Sequence, residues 1–305
     1  MDWLPSILAF VMLYLHGLRS FSQEVTQLGG RGLSAFLRKV TSSDIGGAAA
    51  GAVSAALVQS SAAVNAVALG LSHGGSLTPR AAWSIMVGTN VGTTLTAWLV
   101  AFKVAGLGAV FLTAGGLGSL YGPSRLRTRA RALFYFGLIF LALDLISSTL
   151  RPLASHPGVA EWRTLVDAPL PALLFGIALT VVVQSSSVVV GLTVIAVSQG
   201  LMNPLDSLWV VVGANLGTTS SAVIASLALG AAERRVARLN VAMELVGVAI
   251  FAAAIWPLAP LILGLVEDPG RQVALAHTLY NVACAVATLA LLPRIWPRLR
   301  ADSGD

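Results

Sequence analysis

The sequence predicts an all-α polytopic membrane protein of two inverted repeats, each with transmembrane helices plus a re-entrant helical hairpin. Three observations predict it: an apolar composition, polar motifs recurring at one fixed offset, and basic residues confined to short segments between apolar runs. Of 305 residues, 56% are hydrophobic and 10% charged, against about 25% charged in soluble domains. Mean hydropathy is +0.82.

Apolar runs near 20 residues long mark spans at about 4–20, 81–101, 104–122, 132–150, 206–229, 239–265 and 274–292. Two more segments, 46–78 and 170–203, are apolar but interrupted by polar clusters. The N-terminal stretch carries Asp2, no basic n-region and no Ala-x-Ala site, so it is expected to be a retained span and not a cleaved signal. Cys284 is the one cysteine, so no intrachain disulfide forms. The net charge of +6 sits in short stretches: Arg125, Arg127, Arg129 and Arg131; Arg234, Arg235 and Arg238; Arg294, Arg298 and Arg300. That is the positive-inside pattern of a membrane protein and not a nucleic-acid-binding face.

Val-Gln-Ser-Ser-Ala (58–62) recurs as Val-Gln-Ser-Ser-Ser (183–187), and Gly-Thr-Asn-Val-Gly-Thr-Thr (88–94) as Gly-Ala-Asn-Leu-Gly-Thr-Thr (213–219). Gln59 to Asn90 and Gln184 to Asn215 are both 31 residues, and one offset of 125 also aligns Gly75 with Gly200 and Pro79 with Pro204. Two motifs in register at one offset identify a duplicated unit. Repeat one covers about 5–122, repeat two about 132–265, and a span at 274–292 is extra, all within one transport domain, 1–305.

With the three basic stretches in the cytoplasm, 132–229 crosses an even number of times, so 170–203 enters and leaves on one side. A 19–45 loop with Arg19, Arg31, Arg38 and Lys39 is expected to be cytoplasmic. Its counterpart 151–168, with Arg151 and Arg163 offset by Glu161 and Asp167, is expected outside. Each repeat then has three crossings and a hairpin, and the second is upside down. Such repeats with broken segments near the midplane mark secondary transporters, whose hairpin tips must be covered by protein or line a cavity.

Hydroxyls and free N–H groups at a hairpin tip, with helix dipoles behind them, suit an anion. The Gly-x-Asn-x-Gly-Thr-Thr motif is expected to unwind at its glycines. Its oxygens then suit sodium, or its amide and hydroxyls an anion. No Lys or Arg is expected well inside a span, with Arg80 and Lys103 at ends. A multivalent oxyanion would then need co-bound cations.

These paired motifs resemble the sodium-dependent phosphate cotransporter (Na/Pi, type II) family, in its bacterial form, over about 5–292. The resemblance implies sodium-coupled symport of inorganic phosphate by alternating access, in a multi-pass protein of the bacterial inner (plasma) membrane with a cytoplasmic C-terminus. It implies a phosphate site of Gln59, Ser60, Ser61, Gln184, Ser185, Ser186, Asn90 and Asn215. It implies sodium sites at Ser187, Thr93, Thr94, Thr218, Thr219, Gln59 and Gln184. Partners are phosphate, sodium and the bilayer, with a homodimer as an option; no transition metal, organic cofactor or enzymatic activity is expected. Ala62 replaces the third serine of the first cluster, so one hydroxyl is missing there. The stretch 271–281 resembles a His-x-x-x-Asn segment of such proteins, although His277 and Asn281, four apart, are more often a packing pair than ligands. Asp144 and Glu244 lie within spans and are functional candidates; at the 125 offset they align with Arg19 and Ser119.

Competing readings are export, another oxyanion such as sulfate or arsenate, an anion channel, and an intramembrane serine hydrolase. The last needs one activated serine with a histidine base, whereas these serines come in pairs without matching histidines.

Overall fold

The computed structural model describes residues 3–102, 107–155 and 168–301. The helices are α1 (Trp3–Val40), α2 (Asp44–Val58), α3 (Ser61–His73), α4 (Pro79–Ala101), α5 (Leu107–Tyr121) and α6 (Arg127–Leu150). They continue as α7 (Pro169–Val183), α8 (Ser186–Ser198), α9 (Pro204–Leu227), α10 (Ala231–Ile250), α11 (Trp256–Leu263) and α12 (Pro269–Ala301). A π-helical turn, Phe251–Ile255, joins α10 to α11.

Among the described residues, five stretches are long and apolar enough to cross a membrane: Trp3–Gly29, Ser124–Leu153, Pro204–Leu227, Ala231–Leu263 and Pro269–Arg294. Seven were expected. α4 has 23 residues, but its polar motif keeps it out of this set. α5 has 15 residues, about 22 Å against a core of about 30 Å. The expected 19–45 loop is instead helical: α1 runs unbroken to Val40. Its basic residues are spaced along a helix, which charge counting mistakes for a loop. Lys103 and most of the 151–168 loop lie outside the described residues.

The duplicated segments fold alike. α2 and α3 have 15 and 13 residues, as do α7 and α8. Gln59 (φ 56°) and Gln184 (φ 57°) end the first helix of each pair in the left-handed region, and Gly75 (φ 69°) and Gly200 (φ 72°) follow the second. Thr78 and Asn203 cap α4 and α9, with Pro79 and Pro204 in their first turns.

The motif glycines do not unwind their helices: α4 and α9 are helical through 88–94 and 213–219. They allow close packing instead. A Cβ on Gly88 would lie 1.8 Å from the Ala48 carbonyl oxygen, and one on Gly92 2.1 Å from that of Ala52. Gly213 faces the Leu173 carbonyl at 2.2 Å in the same way. Bare backbone on bare backbone is how membrane helices gain contact without a hydrophobic drive. The halves also interlock: Val188, Val189, Val190 and Val194 of α8 share a buried cluster with Ala97 and Val100 of α4. Leu69 of α3 clusters with Ala222 of α9.

Candidate functional site

Each Gln-Ser turn is built from its own side chains. A non-glycine residue in the left-handed region costs about 1 kcal/mol or more, and the last carbonyls of a helix lack partners. The glutamine offsets both. Gln59 Nε2 donates to the Ala56 carbonyl (2.6 Å) and Gln184 Nε2 to that of Val181 (2.5 Å). Ser60 and Ser185 then cap α3 and α8, accepting from Ala63 N (3.2 Å) and Val188 N (3.4 Å). Ser61, Ser186 and Ser187 occupy the first turns and are buried. The N–H groups of a first helical turn have no intrahelical acceptor, so each turn presents donors together with a helix N-terminus. The valines around Gln184 divide: Val188–Val190 are buried, whereas Val182 is 81% exposed.

The glutamine oxygen is held from the motif helix. Thr96 Oγ1 donates to Gln59 Oε1 (2.7 Å), and Ser221 Oγ to Gln184 Oε1 (2.9 Å). Ser220 Oγ accepts from Gln184 Nε2 (3.3 Å). Thr96 and Ser221 were missed in the sequence although the signal is there: both stand 37 residues after their glutamine, at the same 125 offset.

The four threonines that close the two motifs donate to their own helices. Thr93, Thr94, Thr218 and Thr219 bond the carbonyls of Asn90, Val91, Ala214 and Leu216 at 2.7–3.0 Å. Their protons are thus committed, and what each offers outward is an oxygen lone pair.

The two motif asparagines are held by different chemistry. Asn90 Nδ2 donates to Glu244 Oε1, and Tyr280 donates to Glu244 Oε2 at 3.4 Å. Asn215 Nδ2 donates to Asn281 Oδ1 (3.0 Å), and Asn215 Oδ1 lies 3.3 Å from His277 Nε2. Asn281 in turn donates to the His277 carbonyl (2.8 Å). Glu244, His277, Tyr280 and Asn281 are each at most 3% exposed. His277 and Asn281 thus pack as a hydrogen-bonded pair against Asn215, and Tyr280 on the same face of α12 meets Asn90 only through Glu244. Each glutamine is bonded to its own motif helix at the residue six beyond the asparagine, about 9 Å along the axis.

Arg19 departs from expectation. It lies within the Trp3–Gly29 stretch, and its Nη2 donates to the Val183 carbonyl at 3.2 Å, next to Gln184. Among the described residues, no group of three or more His, Cys, Asp or Glu side chains is placed to hold a metal ion.

The Na+/Pi-cotransporter family matches residues 13–148 and, a second time, 149–266, once per repeat. The uncharacterized protein YqeW of Bacillus subtilis (strain 168) is 27% identical over 289 residues, 94% of each chain. YjbB of Escherichia coli (strain K12), named as a candidate inorganic phosphate export protein, is 30% identical over 250 residues, 80% of this chain and 45% of YjbB. YjbB of Salmonella typhimurium is 30% identical over 223 residues, 72% of this chain and 40% of that protein. The chain thus spans less than half the length of the YjbB relatives it matches. No solved structure matches.

Proposed function

Because the chain belongs to the Na+/Pi-cotransporter family, we propose that it moves inorganic phosphate across the inner membrane by sodium-coupled symport with alternating access. The observation that carries this reading is the duplicated Gln-Ser turn, with each glutamine oxygen pinned by a hydroxyl 37 residues later. Two such turns, inverted relative to each other and re-entrant from opposite faces, give a site reachable from either side. Arms of 15 and 13 residues are too short to cross and return. The serines and first-turn N–H groups take the phosphate oxygens, together with the second amide N–H of Asn90. The lone pairs of Thr93, Thr94, Thr218 and Thr219 suit sodium, a cation that takes oxygen ligands. A second reading, export, is favoured by the names of the YjbB relatives.

Radiolabelled phosphate flux in proteoliposomes, with sodium gradients imposed in either direction, tests this. Uptake that follows the sodium gradient is expected. Flux indifferent to sodium would overturn the symport, and flux only against the inward gradient would establish export.

A further inference from the structure

A multivalent oxyanion inside a membrane protein needs positive charge, because buried charge without an opposite partner is costly. Arg19 supplies it at one place only. Five residues along α1, Glu24 pairs with Arg131 at 2.7 Å near the basic start of α6. Arg19 therefore stands about 7.5 Å farther into the span than that pair. Its side chain is exposed and not packed away, and one of its five N–H donors goes to the Val183 carbonyl at 3.2 Å. Val183 ends α7, and the next two residues are Gln184 and Ser185, whose hydroxyl caps α8. The guanidinium is thus anchored one residue before Gln184 and three before Ser186, where α8 begins.

The repeat makes this placement one-sided. At the 125 offset Arg19 aligns with Asp144, a carboxylate, so the duplication supplies no second guanidinium. At the turn itself two hydroxyls differ in the same sense: Ser187 aligns with Ala62, and Ser220, which bonds Gln184, aligns with Leu95, whereas one turn along α3 Asn65, which accepts from Thr89, aligns with Val190. One cation and two hydroxyls are therefore present at the second turn and missing from the first.

We propose that Arg19 is the charged phosphate ligand, and that the oxyanion is held mainly at the second turn, Gln184–Ser187, and not equally by both. The planar guanidinium fork matches two oxyanion oxygens, and the α8 N-terminus completes the cradle. The first turn, which has no such cation beside it, is left to the coupling cation. This rests on the phosphate-transport reading above.

Binding of radiolabelled inorganic phosphate to the purified full chain tests it, alongside thermal unfolding. Arg19→Gln keeps an N–H for the Val183 carbonyl but removes the charge; half-saturating phosphate should rise about tenfold or more. Arg19→Lys keeps the charge and loses the fork; a loss of about threefold at an unchanged thermal midpoint is expected. Ser185→Ala should weaken binding more than Ser60→Ala. A folded Arg19 variant, Gln or Lys, that binds phosphate like wild type overturns the proposal, as does Ser60→Ala equalling or exceeding Ser185→Ala. Wild-type protein that binds no inorganic phosphate would instead sink the phosphate reading itself.

Discussion

Replacing Gly88 by alanine tests whether the motif glycines act by packing or by unwinding. The added methyl would lie 1.8 Å from the Ala48 carbonyl oxygen and 2.5 Å from its carbon. Ordinary C···O contact is about 3.3 Å, so α2 and α4 must separate by about 1.5 Å. The obstacle is backbone, which cannot swing aside as a side chain does. Overpacking of this kind costs about 1–3 kcal/mol, and the upper figure applies here. At about 2–4 °C per kcal/mol, the thermal midpoint of purified Gly88→Ala should fall by roughly 6–12 °C. Gly213→Ala, facing the Leu173 carbonyl at 2.2 Å, should behave alike. Gly70→Ala is the internal control, because nothing lies within 4 Å of its Cβ position. It should be neutral or stabilising by up to about 1 kcal/mol. Gly88→Ala melting like wild type would refute the packing account. A glycine that merely loosened its helix would be stabilised by alanine.

Four further outcomes are expected. Glu244→Leu strands the Asn90 amide and the Tyr280 hydroxyl, costing about 2 kcal/mol or more, whereas Glu244→Gln retains a partner and costs less; thermal unfolding in detergent separates them. Thr96→Val and Ser221→Ala, which free the glutamine oxygens, should both raise half-saturating phosphate in flux assays; two unaffected variants would remove the turn from the site. Arg80 donates to Asp44 at 2.6 and 2.9 Å, and these bonds hold the Asp44 carboxyl below the usual carboxylate range. A depressed value stabilises above the ordinary pKa near 4 and is lost as pH falls through the folded value. For this partly exposed pair Asp44→Asn should therefore cost at most about 1 kcal/mol at pH 7 and progressively less as pH falls below the ordinary carboxylate range, as thermal scans across that range would show. Cysteines introduced as Ala35→Cys and Gly158→Cys should label from opposite sides of the membrane; labelling from one side would refute the inverted arrangement.

The helical membrane class was legible from composition, and the breaks at the two Gln-Ser clusters from polar interruptions that recur in apolar runs at one offset. A glutamine that caps its own helix in a left-handed conformation does so identically in both copies. Where the sequence misled, the cause lay between segments. Arg19 was assigned to a loop because basic residues end apolar runs, yet α1 continues through it to Val40. No local pattern shows that a guanidinium will meet the carbonyl of a residue 164 positions away. Glycines spaced four apart suit unwinding or close packing equally well in sequence; only the facing helix decides. Glu244 and Asn281 have no counterparts at the 125 offset, so the repeat was silent about the groups that hold Asn90 and Asn215.

The glycines and the glutamine turn belong to one device. Thr96 reaches Gln59 because α4 runs against α2 with no side chain between them at Gly88 and Gly92. Gly92, closest to the turn, opposes the Ala52 carbonyl at 2.1 Å, seven residues before Gln59. A methyl there would push the helix pair apart, and the 2.7 Å bond from Thr96 would be stretched beyond hydrogen-bonding range by a shift of about 1 Å. Gly92→Ala should therefore weaken phosphate binding although the glycine contributes no ligand atom. In the second repeat a Cβ on Gly217 would lie 2.8 Å from Thr180 Cβ and 2.9 Å from the Ile177 carbonyl oxygen, a wider clearance than at Gly92. The overlap is smaller there, so Gly217→Ala should cost less binding than Gly92→Ala if both turns mattered equally. If phosphate is held mainly at the second turn, the order reverses, because even a small displacement there touches Gln184, Ser185 and Arg19 together. Comparing the two alanine variants in the same phosphate-binding assay separates the mechanical contribution of each half from its chemical one.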